Sequence, residues 1–319
     1  MSNEIFVNQY CKDLTIIAGM PRSGKTLLAP LISSMKDAEI FHLDFLVEAF
    51  PALESVKMLS KEGLIYLLQY SIHNMSYNRA IGRNLNIRIT DETSIWQSQN
   101  PEKYFERSFL NDRFDFTQDY TREYKFPLVL CLHNALTYVD ILYKSFENIR
   151  VVNVCSHPVD IVDAWIKKDY GKDIYGRKGV SLPVFKWKNS VVPLYACGWE
   201  DKYMALSQTD RVISMLYQLY LSENNSLSKV NIKDKNKLLM VNYDELVLSI
   251  DSELKKISSF LEKPITAFTD KVINRSELES RKASILKRED KLSTIKKNAS
   301  NGCINMIDEW IHSYSQIKF

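Results

Sequence analysis

The sequence predicts an α/β fold of three layers, with a mostly parallel central sheet, a helical lid insertion and a helical C-terminal segment. Three observations predict it. Short β-branched apolar runs alternate with longer segments of helical period, as parallel strands joined by crossover helices require. The runs are largely continuous in apolar residues, the pattern of strands covered on both faces. The 319 residues are 45% hydrophobic and 25% charged, the balance of a globular protein able to bury such a core.

The elements follow in order. Leu14-Thr15-Ile16-Ile17-Ala18 is the first strand, and after a Gly/Pro/Ser turn its helix runs from Thr26 to Met35. Glu39 to Leu43 reads as a second strand, followed by helical period from Leu46 to Leu59. Ile87-Arg88-Ile89-Thr90 reads as a third, ending in Asp91-Glu92. Leu128 to Leu132 and Arg150 to Cys155 are strands flanking a helical stretch from Leu136 to Phe146, and Lys237 to Val241 is the last strand. Two segments break this rhythm. Residues 97–126 are rich in charges and aromatics and read as an inserted helical or loop segment. Residues 169–205 hold Trp187, Tyr195, Trp199 and Tyr203 and read either as a substrate lid or as a helical cluster packed on the core. After Pro264 the chain, residues 265–319, is basic and helical. With only 9 Gly and 9 Pro, long flexible linkers are not expected, so residues 1–319 read as a single domain.

Composition excludes several classes. Lys plus Arg number 42 and Asp plus Glu 39, a net charge of +3, which makes no case for a nucleic-acid partner. Cys11, Cys131, Cys155, Cys197 and Cys303 are odd in number and widely spaced, so reduced thiols fit better than a zinc site or a disulfide framework. The first residues show no basic-then-apolar leader. Apolar runs of about five to seven residues fall short of the roughly 20 that span a bilayer. The expected location is cytoplasmic.

Gly19-Met20-Pro21-Arg22-Ser23-Gly24-Lys25-Thr26 is the strongest signal. It satisfies G-x-x-x-x-G-K-[ST] between a predicted strand and a predicted helix, the setting a phosphate-binding loop needs, and makes the fold one of P-loop type. Such a turn aims free backbone N–H groups and the positive end of a helix dipole at one spot. Arg22 and Lys25 add cations and Thr26 a hydroxyl. Gly19, Pro21, Arg22, Ser23, Gly24, Lys25, Thr26 and Leu27 are the expected contacts of a bound nucleotide.

The run GMPRSGKTLL resembles the 5′-phosphosulfate loop of sulfotransferases that use 3′-phosphoadenylyl sulfate (PAPS), commonly G-x-P-R-S-G-T-T-L-L. IRVVNVCSHPVDIVDAW, from Ile149 to Trp165, is similar to that family's R-x-P-x-D-x-x-x-S strand-loop-helix, which reads the donor's 3′-phosphate. The segment around Tyr243-Asp244-Glu245-Leu246 resembles its late strand and helix. The order holds from about residue 14 to 265. The resemblance implies sulfuryl transfer from PAPS to a hydroxyl of a carbohydrate or small metabolite. It also implies a nucleotide contact at Ser156, the position of the motif Arg, and at Arg281-Lys282, which resemble the Arg-Lys-Gly segment of cytosolic sulfotransferases. Two positions depart from the pattern, since Ser156 and Ala164 stand where the motif has Arg and Ser. A fork of charge-assisted bonds is not replaced by one hydroxyl. Together with Lys25, a Walker-type lysine, these departures keep two alternatives open. One is an ATP-dependent kinase, with Mg²⁺ on the phosphates and Thr26 and Asp91 as ligands. The other is a degenerate nucleotide-binding protein.

Either transfer is an in-line displacement that needs charge stabilisation and removal of the acceptor's proton. Arg22 and Lys25 are the expected charge stabilisers. Three residues are candidate bases. His133 ends a strand and, by resemblance, holds the place of the family's base histidine. Asp44, just past the second strand, could bind an acceptor hydroxyl or cap the next helix. Glu92 ends the third strand at the sheet edge where ligands gather in open α/β folds.

Overall fold

The computed structural model describes residues 7, 9–110, 127–172, 184–317 and 319. In chain order the first half runs β1 (Asp13–Ala18), α1 (Lys25–Ser33), α2 (Phe45–Ser55), α3 (Lys61–Ala80), α4 (Glu102–Ser108), β2 (Pro127–Cys131), α5 (Val139–Ser145) and β3 (Ile149–Cys155). Then come α6 (Pro158–Lys167), β4 (Val184–Trp187), β5 (Ser190–Pro193), α7 (Glu200–Ala205), α8 (Gln208–Ser228) and β6 (Leu238–Asn242). The C-terminal segment is helical: α9 (Tyr243–Leu248), α10 (Ile250–Leu261), α11 (Ala267–Asn274), α12 (Leu278–Leu286), α13 (Arg288–Asn298) and α14 (Asn301–Ser315).

The central sheet has the order β2-β1-β3-β6 and every pairing in it is parallel. Its continuous apolar runs are explained by the two helical layers. Leu14, Ile16 and Val151 face α2, α3 and α5, while Ile17, Val129, Val152 and Val154 face α1, α9 and α10. A third apolar cluster joins α6, α8 and α14 around Trp165, which is fully buried. The three-layer α/β fold with a parallel sheet is therefore as the sequence predicts. Among the described residues no helix is long and apolar enough to cross a membrane, and all five cysteines are free.

Two predicted strands do not form, for the same reason. In Glu39 to Leu43 only His42 bridges the sheet, opposite Leu130. The neighbouring backbone groups are taken by side chains: Ile40 N–H by Tyr104 Oη at 2.9 Å, Ile40 C=O by Arg79 and Phe41 N–H by Ser33 Oγ. Glu39 itself is buried in a bidentate pair with Arg107, whose charge holds its carboxyl down at about 2 against the opposing effect of burial. Ile87 to Thr90 fails likewise. Trp96 and Gln97 donate to the carbonyls of Ile87 and Ile89, and both isoleucines are exposed. Among the described residues no strand pairs with this run.

Of the segment 97–126, the structure describes α4 and the residues up to 110; residues 111–126 lie outside the described residues. Within 169–205, residues 173–183 also lie outside them. The described remainder holds not only helix but the antiparallel hairpin β4–β5.

Candidate active site

Between β1 and α1 the chain makes the expected strand-turn-helix, and its backbone shows how the phosphate loop is shaped. Gly19 and Gly24 adopt φ of 151° and 99°, and Arg22 sits at φ 73°. The loop's carbonyls are bonded from behind. Lys25 Nζ donates to Gly19 O and Met20 O, both at 2.8 Å, and Trp165 Nε1 donates to Pro21 O at 2.9 Å. Ser156 Oγ donates to Ser23 O at 2.7 Å. With the carbonyls held this way, the N–H groups of Arg22, Gly24, Lys25 and Thr26 have no acceptor among the described residues. A peptide turn with satisfied carbonyls and free amides at a helix N-terminus is an anion cradle. Arg22 and Thr26 are exposed beside it, and Arg22 forms no ion pair with a described residue. The buried Ser23 Oγ has no partner among the described residues.

Several expected contacts act differently from their sequence reading. Lys25 is buried and reaches back into the loop instead of outward, so it braces the cradle. Ser156 braces it too, through the Ser23 carbonyl. Leu27 puts its side chain in the core and its N–H on Gly24 O at 2.9 Å. Lys282 pairs with Glu279 on the surface at 2.8 Å, the usual state of a solvated helix pair. Asp44 caps α2 by accepting from Leu46 and Val47, and Asp91 accepts from the N–H and hydroxyl of Thr93. Arg281, in contrast, lies close to the loop. It donates to Tyr243 Oη at 3.2 Å, and the Tyr243 ring packs against Gly24. Glu92 is exposed, and burial of part of its carboxyl raises its pKa against the pull of Arg281.

Beside the loop opens a cavity of about 500 Å³, to which Pro21 contributes a wall. Phe45, Tyr138, Tyr170, Tyr195 and Trp199 give it an aromatic lining; no Lys or Arg occurs among its described lining residues. His133 is on its wall, next to Asn134, whose N–H donates to Gly19 O at 3.2 Å and so ties the β2 end to the loop. His133 is paired with Glu48 of α2, Nδ1 to Oε1 at 2.9 Å, and its backbone N–H donates to the same oxygen. Glu48 escaped the sequence reading. It lies 85 residues from His133 and shares no motif with it.

Behind the loop two buried ionisable groups influence each other. Burial pushes Lys25 down to about 8, an effect that nearby Cys131, Glu48 and Glu223 partly offset. Burial also pushes Glu223 of α8 up to about 8 despite the attraction of Lys25. The native state therefore keeps a proton that the unfolded chain, titrating near 4.5, gives up. Stability from this group falls as pH rises from about 4.5 to about 8 and the loss is complete above that window. At about 1.4 kcal/mol per unit, the effect is on the order of several kcal/mol. Lys25, with its pKa lowered, acts between about 8 and 10.5 and with the opposite sign. Glu223→Gln should therefore raise the melting temperature at pH 8 and leave it near the wild-type value at pH 4.5. A parallel shift at both pH values would refute the assignment.

The profile of the sulfotransferase domain matches residues 12–306. The chain belongs to that family. It is therefore a transferase, and its class of chemistry is sulfate-group transfer. No curated protein matches the chain. Similar solved structures include the sulfotransferase domain of the Synechococcus PCC 7002 olefin synthase, at 14% identity over 82% of this chain and 77% of that one, TM-score 0.41. Sulfotransferase STF1 of Mycobacterium tuberculosis H37Rv matches at 12% identity over 83% and 71%, TM-score 0.42. Mouse sulfotransferase SULT7A1, solved with PAP, matches at 14% identity over 91% and 69%, TM-score 0.36.

Proposed function

We propose that this sulfotransferase-family chain moves a sulfuryl group from PAPS to the hydroxyl of a small uncharged acceptor. The observation that carries the reading is one juxtaposition: a loop of free amides and a cavity share Pro21, and His133 stands on the cavity wall. The residues present fit the donor. The amides of Arg22, Gly24, Lys25 and Thr26, the unpartnered Ser23 hydroxyl and the Arg22 guanidinium would receive its 5′-phosphosulfate. Arg281, one ring away from Gly24, is the cation we assign to its 3′-phosphate. The aromatic lining and the volume suit a small metabolite with an apolar body better than an acidic carbohydrate chain. The aromatic residues of segment 169–205 supply much of that wall, so its lid reading becomes a proposal about the acceptor side.

Calorimetry distinguishes the donors before any acceptor is known. One charge-assisted contact contributes about 1.5–3 kcal/mol, or roughly ten- to a hundredfold in affinity. Adenosine 3′,5′-bisphosphate (PAP) should bind more tightly than ADP by about that factor, and Mg²⁺ should not reverse the order. If ADP with Mg²⁺ binds as tightly as PAP, the kinase reading takes its place. If neither nucleotide binds, the nucleotide site itself is wrong.

A further inference from the structure

We propose that Glu48 is the positioning residue of the acceptor site, fixing His133 in the tautomer whose Nε2 can take the acceptor's proton. This rests on the reading of His133 as the base. An ionised carboxylate only accepts hydrogen bonds. With Glu48 Oε1 at 2.9 Å, the Nδ1 of His133 must carry the hydrogen, which leaves the lone pair on Nε2. The same oxygen also accepts the His133 backbone N–H, so main chain and ring are held at one point. The pair lies on the cavity wall, with side-chain exposures of 32% for His133 and 16% for Glu48, so little water competes for the carboxylate. Glu48 is itself fixed, because Asp44 caps the first turn of α2.

The step balances as follows. The acceptor hydroxyl gives its proton to His133 Nε2, and its oxygen lone pair forms the new bond to sulfur. The bond from sulfur to the phosphate oxygen breaks, and its electron pair leaves with adenosine 3′,5′-bisphosphate. The Nδ1 hydrogen stays in place, and the Glu48 charge stabilises the imidazolium as it forms.

The test combines a tautomer readout with turnover. In chain labelled with ¹⁵N-histidine, nitrogen shifts report which ring nitrogen carries hydrogen, and loss of one signal set in His133→Gln assigns His133. The wild type should show the Nδ1–H form, and Glu48→Leu should move the population toward Nε2–H. With PAPS and 2-naphthol as probe acceptor, Glu48→Leu should lower kcat by about a hundredfold or more, while KM and PAP affinity stay within about threefold. Glu48→Asp should restore part of the rate. If the leucine variant does not fold, Glu48→Gln keeps the side-chain volume and should still lose about tenfold or more in kcat. A wild-type Nε2–H tautomer overturns the proposal. So does a folded Glu48 variant of near-normal kcat beside an inactive His133→Gln, an outcome that leaves the base reading standing. An active His133→Gln overturns the base reading and this proposal together.

Discussion

Gly24→Val should lose PAP binding by a hundredfold or more, the largest effect expected from any single change in the loop. Two causes act together. Gly24 sits at φ 99°, a region where an L side chain is strained by about 1–3 kcal/mol. A Cβ there would also lie 2.4 Å from Cδ2 and Cε2 of Tyr243. That ring cannot simply swing away, because Tyr243 starts α9 directly after β6 and its hydroxyl accepts from Arg281. The loop must move instead, and with it the amides of Gly24, Lys25 and Thr26 that form the cradle. About 3 kcal/mol of lost binding corresponds to more than a hundredfold in affinity. Adding Tyr243→Ala to Gly24→Val removes the collision but not the strain, so partial recovery is expected. Gly302→Ala is the control. A Cβ there meets nothing within 4 Å, and PAP binding should be unaffected. Calorimetric titration decides the matter, and a Gly24→Val chain that binds PAP normally would refute the cradle.

The loop was legible because every local signal agreed: a buried β-branched run, glycines where the backbone turns left-handed, and a helix behind them. The parallel sheet was legible for a similar reason, since β1, β2, β3 and β6 are mostly apolar, with only scattered polar residues such as Thr15 and Asn153. What the sequence hid was set by distant partners. Residues 39–43 have strand composition, but Tyr104, Arg79 and Ser33 reach their backbone groups first. Lys25 matches a Walker lysine in position. Its ammonium nevertheless turns inward, because the carbonyls of Gly19 and Met20 need donors. Glu48 carries no local signature. A single acidic residue in the first turn of a helix reads as a dipole partner, and only the packing of α2 beside the end of β2 gives it His133.

His133→Gln should lower kcat for sulfuryl transfer by about 10²–10⁴-fold and leave PAP affinity almost unchanged. Glutamine roughly keeps the polar volume but cannot accept a proton at neutral pH, so the loss isolates proton removal from packing. The donor side should be spared, because the loop is braced by Lys25, Trp165 and Ser156, and the link from residue 133's neighbour runs through the Asn134 backbone N–H. The rival carboxylates make the comparison two-sided. Asp44 already uses its carboxylate to cap α2, and asparagine caps as well, so Asp44→Asn should cost far less than His133→Gln. Glu92 is exposed and does not line the cavity, so Glu92→Gln should also cost less. Steady-state kinetics with PAPS and 2-naphthol, read beside PAP titrations of the same variants, separates the three. If Glu92→Gln shows the large kcat loss and His133→Gln does not, the acceptor approaches from the Arg281 side of the loop, and the cavity at His133 is not where transfer occurs.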